Sequence, residues 1–369
     1  SAGTYTFNGN VTLFGGSVDT RTITLDNSVN NPNFVFKGNL TINNSIGAVI
    51  WQKGTGTITF AKESGTQTAN FLNKAVEDIV VGDGTTTTNT LQLVTNGVTT
   101  DQLTVNSNAT FDLNGNNLSY PSSVGTYNNG TIRLKGNETL TNIANLDTDS
   151  GTVTYYGDNG GGGSPFTIYD FGTTDYYNLT FDATSGTDVF RPTDTLTIAN
   201  NLTITQGTFD NATNNKNINV AGNVTMDNTQ TNMGNATWTV SGDFDNESVT
   251  TFNHNSSTLV MNGNSKNLVT RSGPGQYLYN LTIAQGATIT QTNTSYLMCY
   301  TTGTFQVDGT YTIPSGRNGY TSGGATVRVS STGKITGDGH FRLDGNTNLA
   351  LMDGVIDVAS FAIYHKHDI

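Results

Sequence analysis

The chain has 369 residues, of which 34% are hydrophobic and only 12% charged, with 43 glycines, 6 prolines, 1 cysteine and a net charge of −12. An acidic chain offers no basic face to a polyanion, which excludes nucleic acid as a partner. One cysteine excludes an internal disulfide framework and a cysteine-rich zinc site, and no apolar run reaches the roughly 18 residues of a spanning helix.

Taken in chain order, the predicted elements are short units of alternating polar and apolar residues. The first are Thr4-Tyr5-Thr6-Phe7, Thr22-Ile23-Thr24-Leu25, Asn39-Leu40-Thr41-Ile42 and Thr57-Ile58-Thr59-Phe60, which step by about 17 or 18 residues. Ala61 to Lys74 departs from the pattern, and Phe71-Leu72-Asn73 is predicted to close a longer loop there. The unit resumes at Thr90-Leu91-Gln92-Leu93, Thr110-Phe111-Asp112-Leu113 and Thr131-Ile132-Arg133-Leu134, in steps of about 20. Asp158 to Pro165, with four consecutive glycines, reads as a loop leaving the pattern.

From Thr195 the repeat is most regular. Thr195-Leu196-Thr197-Ile198 is followed by the units that begin at Asn217, Thr237, Thr258, Asn280, Thr304 and Thr326, at steps of about 20 to 24. A second unit accompanies it, Asn201-Leu202-Thr203-Ile204 and then Asn223-Val224-Thr225-Met226, joined by Gly/Asn turns such as Ala221-Gly222-Asn223. Alternation sends one set of side chains inward. Leu196, Ile218, Trp238, Leu259, Leu281, Phe305 and Val327 are expected to form one inward column. Ile198, Val220, Val240, Met261, Ile283, Val307 and Val329 are expected to form a second.

This pattern predicts an all-β chain folded as a single parallel β-helix (β-solenoid) of coils about 17–24 residues long, with loop insertions. Stacked at about 4.8 Å, some 17 coils are expected. The chain reads as one continuous solenoid over 1–369, with degenerate super-repeats near 56–150, 151–256 and 257–369 after N-terminal coils 1–55. The alternative is a row of β-sandwich domains of about 100 residues. Sandwiches do not, however, require a similar strand every coil.

The segments Gly38 to Ile42, Tyr177 to Phe181, Asn200 to Ile204, Gly222 to Met226 and Tyr279 to Ile283 carry Gly-Asn-Leu-Thr-Ile or aromatic-Asn-Leu-Thr-Ile motifs. They resemble the solenoid repeats of filamentous-haemagglutinin-like and autotransporter-like adhesins and related bacterial or archaeal surface-structure proteins. The resemblance covers most of the chain. It implies a parallel β-helix, secretion, and a role in adhesion or surface architecture, and it names no ligand.

Candidate chemistry is sparse. Asp147-Thr148-Asp149-Ser150-Gly151 places alternating oxygens before a glycine, so Asp147 and Asp149 are weak calcium candidates with part of the six or more oxygens such a loop supplies. Beyond that calcium, no cofactor is expected. His365 and His367 share one side of a predicted strand without a third ligand, and Cys299 sits in apolar company that suits core packing. Asp243/Asp245/Glu247 and Asp338/His340/Asp344 are the nearest groupings of acids, and both read as solvated turns. Asn39, Asn178, Asn201, Asn223 and Asn280 lie in Asn-X-Ser/Thr tripeptides and are glycosylation candidates. Outward Thr-X-Thr units resemble an ice-binding array, but Asn217/Asn219, Thr304/Gln306 and Thr326/Arg328 interrupt it. Threonine as a strand former accounts for the same residues.

A solenoid needs its terminal coils covered. The chain opens Ser-Ala-Gly, as expected of a mature secreted chain, and enters its first unit without an amphipathic helix. Thr4, Tyr5, Thr6 and Phe7 at one end, and Val355, Ile356, Phe361 and Ile363 at the other, are therefore self-assembly candidates. The expected function is an extracellular, cell-surface structural protein that polymerises head to tail with itself into a filament or sheath. The alternatives are an adhesin stalk that binds host or surface glycans and a polysaccharide-degrading β-helix enzyme. Scattered acids make the enzyme the weaker expectation.

Overall fold

The computed structural model describes residues 3–15, 21–45, 47–159, 165–270, 277–292, 296–299, 303–321, 324–345 and 348–364. Every described strand pairing is parallel, and no helix occurs among the described residues. A row of antiparallel sandwiches is therefore excluded. The protein is a β-solenoid of about 14 turns, fewer than the 17 expected, because its first turns are longer than the spacing of like units suggested.

The chain forms two compact units, one of Ser1–Tyr156 with Asp175–Asn178 and the other of Gly157–Thr174 with Leu179–Ile369. In the first unit, one ladder stacks six strands from Thr4–Phe7 through Asn33–Phe36, Thr57–Phe60, Asp78–Val81 and Leu103–Val105 to Tyr127–Asn128. In the second, an eight-strand ladder runs from Leu196–Ile198 to Asn348–Met352. Its register places Leu196 on Ile218, Ile218 on Trp238, Trp238 on Leu259, Leu259 on Leu281, Leu281 on Phe305 and Phe305 on Val327. Both inward columns expected from the repeat are buried along that whole length. Outward Thr and Asn alternate with them, as the two-residue period of a strand requires.

The short steps expected near the start do not separate successive coils. Thr4–Phe7 pairs with Asn33–Phe36, Val11–Phe14 with Leu40–Asn43, and Ile23–Asp26 with Val49–Gln52. The first turn is thus about 29 residues long. The units at Thr4, Thr22 and Asn39 look alike because each is a half-buried strand, but they lie on different faces. Ala61 to Lys74 likewise belongs to the stack. Ser64–Asn70 pairs with Thr88–Leu93, and Phe71 is fully buried edge-on to Phe60. Leu72 and Asn73 then turn the chain with φ of 51° and 58°. The glycine run at 160–163 lies, with Ser164, outside the described residues.

Each new rung must find an acceptor for its leading N–H. Asn223 N–H donates to Asn201 Oδ1 at 2.9 Å, Asp243 N–H to Asn223 Oδ1 at 2.9 Å, and Asn267 N–H to Asp243 Oδ1 at 2.8 Å. The asparagine of the Asn-Leu-Thr-Ile motif is therefore a rung-to-rung connector.

Candidate functional site

In the first rung, Thr4–Phe7 continues columns that are dry one rung later. Tyr5 is 56% exposed above the buried Phe34, and Phe7 is half-buried, stacked on the buried Phe36 with ring centroids 5.1 Å apart. Val11 and Leu13 are half-buried over the fully buried Leu40 and Ile42. Thr4 and Thr6 face solvent.

The last strand mirrors this. Val355–Tyr364 pairs with Lys334–Asp344, setting Ile356 on Ile335, Phe361 on Phe341 and Ile363 on Leu343. Ile335, Phe341 and Leu343 are buried, whereas Ile356 is half-buried, Phe361 is 42% exposed and Ile363 is 53% exposed. Val355 is also exposed. Phe361 stacks on Phe341 at 5.8 Å and presents its other side outward. The eight expected assembly residues thus gather into two groups, one on each of these rungs, and most of the large exposed apolar side chains lie in these rungs or next to them.

Asp147 Oδ2 accepts the N–H of Asn128 at 2.7 Å and Oδ1 accepts the N–H of Asp149 at 3.0 Å, while Ser150 Oγ also donates to it. Burial works to raise the Asp147 carboxyl, but the N–H groups of Asp149, Asn128 and Thr148 outweigh it and hold the pKa below the ordinary value. Its oxygens therefore organise a turn. No group of three or more metal-ligating side chains occurs among the described residues.

Asp245 Oδ1 accepts the N–H of Glu247 at 2.9 Å, a turn contact. His340 Nδ1 lies 2.6 Å from Ser360 Oγ on the exposed face, and Asp344 is held by Arg342 at 3.0 Å and by the Tyr320 hydroxyl. His365 and His367 lie outside the described residues, as does the side chain of Cys299.

The glycosylation candidates are all engaged in the stack. Asn39 and Asn201 each accept a next-rung N–H at 2.9 Å, from Thr68 and Asn223 respectively. Asn223 does the same for Asp243. Asn178 donates from Nδ2 to Gly151 O at 2.8 Å, and Asn280 from Nδ2 to Thr258 Oγ1 at 3.1 Å.

One feature was not foreseen. In the first unit, Gln102, Val124, Gly125, Thr126, Tyr127, Asn145, Asp147 and Asp149 line a cleft of about 390 Å³, with Tyr127 63% exposed beside it. Its polar residues come from three successive turns, so no local motif announces it.

No protein-family model, no curated protein and no solved structure matches the chain. No helix among the described residues is long and apolar enough to cross a membrane.

Proposed function

We propose that this protein is an extracellular structural subunit whose terminal rungs dock onto a second copy of the chain, extending the β-solenoid into a surface filament. The observation that carries the reading is the continuation of dry core columns into exposed apolar side chains at Tyr5, Phe361 and Ile363, with Phe7 only half-buried. Covering each such side chain is worth about 1.5–3 kcal/mol before the cost of association. Parallel backbone pairing across the junction would satisfy the strand edges at the same time. The two groups differ in sequence, so the contact is heterologous and does not close into a symmetric dimer. The resemblance of the Asn-Leu-Thr-Ile repeats to adhesin solenoids, and a surface made soluble by Thr, Asn and Ser, support placement outside the cell.

Sedimentation of the purified chain, with electron microscopy of the same sample, tests this. Linear oligomers that lengthen with concentration are expected. Tyr5→Lys and Phe361→Lys should each stop growth, and an equimolar mixture of the two variants should stop at the dimer, since each keeps one intact face. A chain that stays monomeric up to about 100 μM sinks the reading.

A further inference from the structure

We propose that the cleft beside Tyr127 is a binding site for a neutral pyranoside. The proposal does not depend on polymerisation, because all the lining residues belong to one unit.

Tyr127 stands on a two-residue strand, Tyr127–Asn128, with Thr104 as its register partner. At 63% exposure it is the most exposed of the large apolar side chains of the first unit after Val29, and it does not belong to the first rung. A flat apolar face left in water next to a concave polar surface suits a ligand with one apolar face and a polar edge.

The polar groups around the ring are fixed by their own contacts. Gln102 donates from Nε2 to Gly125 O at 2.7 Å and to Leu103 O at 3.2 Å, which commits the amide nitrogen and leaves Oε1 as an acceptor. Asn145 Oδ1 accepts the N–H of Asp147 at 3.2 Å, which leaves Nδ2 as a donor. A Cβ on residue 125 would come within 2.8 Å of Asn145 Oδ1, so glycine there makes room for the amide. Asp149 is exposed, and its carboxylate is left to accept.

This set selects among ligand classes. Asp147 and Asp149 repel an anion, as does the net charge of −12. A simple cation could use the ring and Asp149, but it has no use for the Asn145 donor, and Asp147 already accepts the N–H groups of Asn128 and Asp149. A pyranose uses every part: its C–H face lies on Tyr127, and its hydroxyls donate to Gln102 and Asp149 and accept from Asn145. Few polar contacts in a shallow cleft give a Kd on the order of 1 mM for a short saccharide.

Saturation-transfer NMR on the full chain tests the site. The probes are methyl glucoside, methyl galactoside, and the β-linked trisaccharides of glucose and N-acetylglucosamine, with tetramethylammonium and a sulfated disaccharide as contrasts. Transfer to ring C–H protons of at least one neutral sugar is expected. Tyr127→Ala should weaken binding by about 10-fold or more, Asn145→Ala by about 5-fold, and Tyr127→Phe by less than about 3-fold. Val29→Ala, which trims a 77% exposed side chain outside the cleft and outside the docking rungs, should leave sugar binding unchanged. No transfer from any neutral probe at about 10 mM overturns the proposal. So does sugar binding that survives Tyr127→Ala, or binding of tetramethylammonium alone.

Discussion

The indole N–H of Trp51 donates to Glu77 Oε2 at 2.8 Å, in a place where Glu77 is only 1% exposed. The other oxygen of the same carboxylate accepts from Asn27 Nδ2 at 2.8 Å and from the N–H of Gly54 at 2.9 Å. One acid thus serves three donors drawn from different parts of the first unit. Glu77→Ala would strand all three and is expected to cost about 3–5 kcal/mol. Glu77→Gln keeps the shape but turns one acceptor into a donor, so about 1–3 kcal/mol is expected. Urea unfolding followed by tryptophan fluorescence measures both, and equal costs for the two would contradict the acceptor role.

Asn223 passes a hydrogen bond along the second unit, and Asp243 performs the same task one rung later. The job therefore needs a short side chain with an oxygen acceptor, and the amide nitrogen is dispensable. Asn223→Asp should leave the unfolding midpoint nearly unchanged, whereas Asn223→Ala should cost about 1 kcal/mol by orphaning the N–H of Asp243. A chemical-denaturation series on the two variants distinguishes them.

Gly242 stacks on Gly222 where two turns meet, with Gly242 N–H donating to Gly222 O at 2.9 Å. A Cβ at 242 would sit 2.2 Å from both the carbonyl carbon and oxygen of Gly222. The obstacle is backbone, which has no rotamer to move. Gly242→Ala is expected to destabilise by about 1–3 kcal/mol. Gly9→Ala, with nothing within 4 Å of the new methyl, is the control and should stay within about 0.5 kcal/mol.

Asp210 supplies a pH dependence. Burial pushes its carboxyl upward, but Arg191, at 3.0 Å through Nε and 2.6 Å through Nη2, outweighs that together with Thr213 and Asn232, so the folded pKa lies below the ordinary value. A lowered folded pKa gives stability that is full above the unfolded value, near 3.9, and is lost as pH falls through the folded one. Thermal unfolding temperature should therefore drop as the pH is taken from about 5 to below 3. Asp210→Asn should lower it at neutral pH and flatten this part of the acid profile. A variant with the same acid slope as the parent would refute the assignment.

The second half of the molecule was legible because its turns are uniform. Where the repeat steps by about 20 to 24 residues, Trp238 must lie on Ile218 and under Leu259, and it does. The first turns were not legible in the same way. Similar units at Thr4, Thr22 and Asn39 belong to three faces, and the spacing between like units reports a coil only when every coil has one length. The strands that carry Tyr5, Phe361 and Ile363 could be picked from their alternating pattern, although the exposure of these side chains follows from what lies on the neighbouring rung. The Tyr127 cleft and the Glu77 cluster left no trace in local sequence. Gln102, Tyr127 and Asn145 lie more than a strand apart, as do Asn27, Trp51 and Glu77, and only stacking brings them together.

Alternation of Thr or Asn with an apolar residue is enough, by itself, to specify half-buried strands, because successive side chains of an extended backbone point to opposite faces. Its return once per turn is enough to specify a parallel stack. Which residue stands on which was decided only in three dimensions. Turn lengths, left-handed residues such as Leu72 and Asn73, and glycine contacts such as Gly242 on Gly222 set the register. A shift of one residue would invert every face, so register depends on the sum of all turns and not on any one strand.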